Sequence, residues 1–317
     1  ICEMDPEDYE DISNLDNEET WKKANPIRMT YPEGVDKIRG EYKIAREQPE
    51  HMTAFLTKCL DVWVQAKENG YMDMSKWKAC QVNELPFDIT GHPVYVGFDM
   101  SAKTDLTSVA FMIPFLSGEY DANRKEIVKY ILWSHSFIPT REKLQEHIIK
   151  DKVAYDAWER MGFLEVTNTP IVDQGAVMRY VLETCEKMKL KIQCLCFDPA
   201  NASKLMMDLS DEGYDVEEVF QSHKHLNEAT QGFKEQVFCR NIIYTYNPLL
   251  NYAMSNAVIR QNNGLIKIDK DATKKRIDPV DATLCAYKLA MFHTFGDDYG
   301  DYINNFIEEI LKDSTEN

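Results

Sequence analysis

The sequence predicts an α/β layer fold built on a mixed sheet. Three observations carry this. Residues 94–99 alternate, Val94, Val96 and Phe98 against Tyr95, Gly97 and Asp99, which is the period of a strand. Two more strand patterns follow at once, with links short enough to favour antiparallel neighbours. Beyond residue 140, helical and strand patterns take turns, as in a sheet covered by helices.

The elements can be justified in chain order. Residues 1–20 hold nine acids and no base, and read as an exposed acidic loop or solvated edge. Pro26 ends any helix in ETWKKANP. Residues 33–80 read as helical, with Thr53, Phe55, Leu56, Leu60, Trp63 and Val64 giving an apolar stripe near the end. That is too little for a complete domain. Composition changes near Leu85–Pro93, and the strand 94–99 follows. Residues 107–115 (TSVAFMIPF) are an almost unbroken apolar run, which suits a central strand, and 126–137 make a third. Thr140 can cap a helix over 141–150; residues 164–172 are extended; Asp173 can cap a helix over 174–189. KIQCLCF (191–197) is a strand ending at Asp198. Then come a helix over 202–212, a short strand over 215–220 and a helix over 226–239. Asn247-Pro248 opens a helix to about Asn256, and Asp278-Pro279 opens one to about residue 292, since proline fits the first helical position.

Composition excludes several classes. The 317 residues carry 36 bases and 53 acids, a formal charge of −17, which argues against a uniformly basic nucleic-acid binder. A local basic groove stays compatible with it. There is no apolar run of 18 residues for a membrane span, and ICEMDPEDYE is not a signal peptide. The eight cysteines show no zinc spacing and read as buried free thiols of a cytosolic protein. The first residue is Ile, and the chain is expected to be a fragment of a longer one.

Three acids stand out by position. Asp99 ends the first strand, Asp198 ends the strand 191–197, and Asp278 starts the last long helix. If the first and fourth strands are neighbours, their ends converge, and a helix laid across them brings its N-terminus to the same spot. Three carboxylates gathered there repel one another, and divalent cations remove that penalty. Hard oxygen ligands select Mg²⁺ or Mn²⁺ over zinc. Two such ions about 4 Å apart clamp a phosphodiester, one activating water and the other stabilising the leaving oxygen. The predicted chemistry is metal-dependent phosphodiester hydrolysis. Each acid also has a plainer reading. Asp278 before Pro279 makes a good helix cap, Asp281 complements the helix dipole, Asp198 can cap the next helix, and Asp99 can start a turn.

Several stretches resemble the large terminase subunits of tailed bacteriophages. VYVGFDMSAKTDLTSVAF (94–111) resembles the first motif of their nuclease domain, and residues 247–290, including RIDPVDATLCAYKLA, resemble its end. ETWKKANP (19–26) and FLTKCLDVWV (55–64) resemble the segment leading from the family's ATPase domain to its nuclease. The resemblance implies an RNase H-like mixed sheet flanked by helices, behind a partial N-terminal helical and linker segment. Residues 1–85 would be the remnant of the ATPase domain and its linker, 86–295 the nuclease domain, and 296–317 a tail. The motif acids fall on Asp99, Asp198 and Asp278, with Asp105 as an auxiliary and Asp281 as rival for the last place. The implied activity is cutting of concatemeric double-stranded DNA with two Mg²⁺ or Mn²⁺ ions in the host bacterium's cytoplasm. The portal protein, the small terminase subunit and, at full length, a homo-oligomeric ring are the implied partners. No GxxxxGK[ST] stretch and no Walker B strand occur, so neither ATP hydrolysis nor translocation is expected of this chain.

Arg260, Lys267, Lys270, Lys274, Lys275 and Arg276 cluster in a polar, hairpin-like stretch before Asp278. They are the expected phosphate contacts, with a solvated charged loop as the alternative. His223 and His225 would share a face of an extended segment, as an exposed loop pair. A cellular RNase H-like nuclease or resolvase, and a non-catalytic docking module of the packaging motor, are the rival readings of the whole chain.

Overall fold

The computed structural model describes residues 2, 4–9, 12–47, 51–62, 70–101, 106–199, 202–270 and 276–295. The chain forms two compact units, Ile1–Glu68 and Asn69–Asn317. The expected tail at 296–317, and Trp63 and Val64 of the apolar stripe, lie outside the described residues. Among the described residues no helix is long and apolar enough to cross a membrane.

The first unit is helical: α1 (Trp21–Ala24), α2 (Pro32–Glu47) and α3 (Met52–Cys59). Ile38, Tyr42 and Ala45 recur at helical spacing on α2 and are buried with Leu15, Trp21 and Phe55. The acidic segment is not the exposed loop its composition suggested. Leu15 is fully buried, and Trp21 Nε1 donates to its carbonyl at 3.1 Å. The acids find cations on the helices: Lys23 meets Asp5 at 2.6 Å and Asp8 at 2.5 Å, Arg39 meets Glu18 at 2.5 Å, and Arg46 meets Asp16 at 2.6 Å. Composition alone could not show these pairings because the partners stand 15 to 30 residues away.

The second unit opens with α4 (Met74–Lys78), capped by Asp73, whose carboxylate accepts from Ser75 N and Lys76 N. Then follow β1 (Gln81–Val82), β2 (Pro93–Asp99), β3 (Thr107–Tyr120) and β4 (Glu126–Ile138). After them come α5 (Arg141–Asp151), α6 (Tyr155–Arg160), β5 (Leu164–Val166), α7 (Gln174–Lys187) and β6 (Lys191–Phe197). Next are α8 (Ser203–Asp211), β7 (Val216–Glu218), α9 (His223–Phe238) and β8 (Ile242–Thr245). The described part ends with α10 (Pro248–Asn256), the hairpin β9 (Ile259–Asn262) and β10 (Leu265–Ile268), and α11 (Asp278–Ala290). In place of the single helical stretch expected over 33–80, the described residues form three helices, α2, α3 and α4. The extended stretch expected over 164–172 shortens to β5, and α6 and β8 join the expected elements.

Seven strands run in the order β1-β8-β4-β3-β2-β6-β7, and β5 pairs with β4 beside them. β2, β3 and β4 are antiparallel, as their short links require; β2 with β6 and β6 with β7 are parallel. Alternation then sorts the side chains. Val94, Val96, Phe98, Leu195 and Phe197 face one way, into a core with α7 and α8. On the other face Ala110, Met112 and Leu132 pack with α9, α10 and α11.

α11 is buried almost all round, and Gly97 explains how close it lies. A Cβ there would stand 2.0 Å from Ala282 O and 2.4 Å from Ala286 N. Helix backbone therefore rests directly on strand backbone, with Ala282 and Ala286 as the small residues that permit it. Gly97→Ala is expected to cost about 1–3 kcal/mol in denaturant unfolding, the range for overpacking a rigid core. An unchanged midpoint would show that the two backbones are not in contact.

Candidate active site

β2 and β6 are parallel neighbours in which Phe98 pairs with Phe197. Their rings stack at 4.1 Å on one face. The next residues along, Asp99 and Asp198, therefore leave the same end of the sheet towards the opposite face, the one α11 covers. α11 brings its first turn, with Asp278 and Asp281, onto that end. Among the four acids, Asp99 is 8% exposed and Asp281 2%.

The plainer roles of two of these acids do not match the structure. The cap position of α11 is Ile277, with no side-chain cap bond, and Asp278 is the first helical residue. The cap position of α8 is Ala202, also without a side-chain cap bond, so Asp198 is not its cap.

Lys270 follows β10 and sets its ammonium among the acids. Nζ donates to Asp99 Oδ1 at 3.0 Å and lies 3.3 Å from Asp281 Oδ2. The second approach has ion-pair distance without hydrogen-bond geometry, so Asp281 Oδ2 is buried with no hydrogen-bond partner among the described residues. Burial opposes the charge on Lys270, but Asp281 and Asp99 together overcome it and hold the ammonium well above the usual lysine range. Burial, then Asp99, pushes Asp278 above the usual carboxylate range. Burial also pushes Asp281 up; Lys270 pulls it down, while Asp99 and Asp198 push it further up. The Lys270 ammonium is thus shared by Asp99 and Asp281, while Asp278 and Asp281 are both held above the usual carboxylate range.

The donor set fits a hard divalent cation: carboxylate oxygens only, buried, with one oxygen lacking a donor. As it stands the cluster is arranged about an ammonium, and among the described residues no three ligating side chains form a ready cage for a metal ion.

The expected phosphate contacts divide. Arg260 is exposed on β9. Lys267 Nζ donates to Gln221 O at 3.1 Å, tying the hairpin down, and Ile266 N donates to Asn227 Oδ1 at 2.8 Å. Arg276 turns inward: its Nε donates to His147 Nδ1 at 3.2 Å and lies 3.8 Å from Asp151 Oδ2. Tyr155 OH donates to the same Asp151 oxygen at 2.9 Å. Arg276 therefore fastens the segment entering α11 to α5. Asp105, Lys274 and Lys275 lie outside the described residues. His223 and His225 are not on an extended segment; they open α9, where Ser222 caps the helix by accepting from His225 N. The eight cysteines are free, as expected, but Cys2 and Cys239 are exposed.

The run β4-β3-β2-β6-β7, three antiparallel strands continued by two parallel ones, is an RNase H-like sheet, with acids at the ends of two central strands and on the covering helix. A sequence model described as terminase large subunit, endonuclease domain, matches residues 3–294, and the chain belongs to that family. It is 25% identical over 296 residues to the terminase large subunit of Enterobacteria phage HK97, covering 92% of this chain and 55% of that one. It is 23% identical over 309 residues to protein YmfN of Escherichia coli K12, covering 93% and 66%. The crystal structure of the HK97 large terminase superposes with a TM-score of 0.59 at 21% identity, over 91% of this chain and 56% of that one, and shares its fold. The chain thus spans between about half and two thirds of the length of these relatives.

Two outcomes test the geometry. Arg276→Ala leaves Asp151 buried without its cation and is expected to cost about 3–5 kcal/mol of stability in denaturant unfolding. A loss confined to DNA affinity would instead place Arg276 on the surface. Asp278→Asn removes a carboxylate that burial and Asp99 disfavour, and is expected to stabilise the metal-free chain by about 1–2 kcal/mol in thermal unfolding. A lower melting temperature would mean that Asp278 has a stronger cationic partner than Lys270.

Proposed function

We propose that this chain is the metal-dependent endonuclease of a viral DNA-packaging motor, cutting concatemeric double-stranded DNA by hydrolysis at the acid cluster. The observation that carries the reading is the meeting of Asp99 and Asp281, residues of different elements, at one buried cationic point beside Asp198. Family membership supplies the class of reaction.

Asp99 and Asp198, held by paired strands, set two carboxylates at a fixed spacing. Asp281 completes the set in this proposal. It feels both strand-end acids and shares a cation with Asp99, whereas Asp278 sits one turn earlier and adjusts the charge of the site. When bound, two Mg²⁺ or Mn²⁺ ions supply the positive charge that activates water and receives the leaving oxygen. The carboxylates of Asp99, Asp198 and Asp281 would hold those ions at the end of the sheet. Asp105, by its place in the first motif, is an auxiliary to the same set. Arg260 is the described cation open to a DNA backbone, and Lys274 and Lys275 are assigned the same task. By family, the portal protein and the small terminase subunit are its partners, and a ring its full-length assembly, in the host cytoplasm.

The test is supercoiled plasmid with Mn²⁺. The chain is expected to nick and linearise it, and Asp99→Ala or Asp281→Ala to lower the rate at least about a hundredfold, the scale of losing a group that acts at the transition state. Absence of cutting by the parent chain at high concentration would favour a docking module over a nuclease. Equal cutting by parent and variants would place the active residues elsewhere.

A further inference from the structure

Lys270 has a place that neither the motif acids nor a phosphate contact explains. Its ammonium lies between Asp99 and Asp281, while 40% of its side chain remains exposed. The Asp281 side chain beside it is 1% exposed. The stem therefore opens to solvent and the charged end turns into the acids, so the ammonium can withdraw by side-chain rotation alone. The backbone that carries it stays fixed, because Lys267 and Asn227 hold the hairpin to its surroundings.

We propose that Lys270 is a tethered counter-ion that occupies the acid cluster until a divalent cation displaces it, so that metal loading is an exchange and not a simple addition. The inference rests on the two-ion reading above. The geometry argues for exchange in two ways. The oxygens that would ligate the ion, Asp99 Oδ1 and Asp281 Oδ2, are the two that face the ammonium. A Mg²⁺ ion needs its oxygens at about 2.0–2.1 Å in an octahedral shell, so an ion on these two oxygens takes the contacts that the ammonium now makes. Like charges so close also repel strongly in a site shielded from water. The ammonium in turn serves the metal-free chain, since it is the cation that Asp99 and Asp281 share. Once displaced, Lys270 stays beside the site on its anchored hairpin, charged and free to reach a phosphate.

Two measurements on the whole chain test this. Amine acylation followed by mass spectrometry reads the access of Lys270, with Lys267 as an internal reference. Saturating Mn²⁺ is expected to raise the labelling rate of Lys270 severalfold and leave Lys267 unchanged. Direct Mn²⁺ titration of Lys270→Met, against the parent chain and Lys125→Met, an exposed lysine in the β3–β4 turn, is expected to show about tenfold tighter binding in the first alone, the scale of one removed competing charge. Mn²⁺ binding in the parent chain with unchanged labelling of Lys270, or equal affinities in all three proteins, would overturn the exchange and leave the nuclease reading standing. No Mn²⁺ binding in either the parent or Lys270→Met overturns both. A folded Lys270→Met that binds Mn²⁺ more weakly than the parent overturns the exchange alone, since Lys270 would then support the ion.

Discussion

The contact on which the site depends is the seating of α11 against β2 at Gly97. Because helix backbone touches strand backbone there, the start of the helix is held over the end of the strand to within the tolerance of packed main chain. A larger residue at 97 would lift the helix and carry Asp281 away from Asp99. The small residues of α11, Ala282 and Ala286, serve the same approach. The buried apolar length of the helix holds it down: Val280, Leu284 and Tyr287 join the core with α9 and α10. A stable hydrophobic layer thus positions groups that by themselves oppose folding.

That opposition is visible in the electrostatics. The carboxylates of Asp278 and of the buried Asp281 are both pushed up, which means the folded chain disfavours their charge. Other acids of the chain do have cationic partners. The first unit pairs its N-terminal carboxylates with Lys23, Arg39 and Arg46, and Asp151 has Arg276 and the Tyr155 hydroxyl. At the sheet end the ammonium of Lys270 is shared by Asp99 and Asp281, whose side chains are 11% and 1% exposed. Selection for stability alone would not retain such a cluster, and a site whose charge is completed by something bound accounts for it.

Much of the fold could be read locally. Thr140, Asp173 and Asn247 cap the helices they were expected to cap, each accepting a backbone N–H of the first turn. β6 runs over the expected residues because its apolar run is bounded by a lysine-rich turn and by Asp-Pro. Local signals failed where context decides. α9 begins at His223, not near 226, since Ser222 supplies a cap that a histidine-rich stretch conceals. β8 lies in a short run between a helix and Asn-Pro and is a strand because β4 offers it an edge. Of the candidate site, the strand-end acids and the acids of the last helix were legible from alternation and from Asp-Pro. The engagement of Lys270 was not, since its partner Asp99 is 171 residues away and a basic residue near acids reads equally as a phosphate contact.

The same distinction bears on how the hairpin works. Six cations before α11 look alike in sequence, yet the described ones do different jobs. Lys267 fastens the hairpin, Arg276 fastens the entry to α11, Lys270 sits in the acids, and Arg260 faces solvent. A basic cluster of this kind is therefore chiefly a scaffold for the acid site, and its sum overstates the charge available to a phosphate backbone. With a formal charge of −17 over the chain, any attraction to a phosphate backbone, as the proposed function requires, must be local and short-ranged, falling off within a Debye length of about 8 Å at physiological salt.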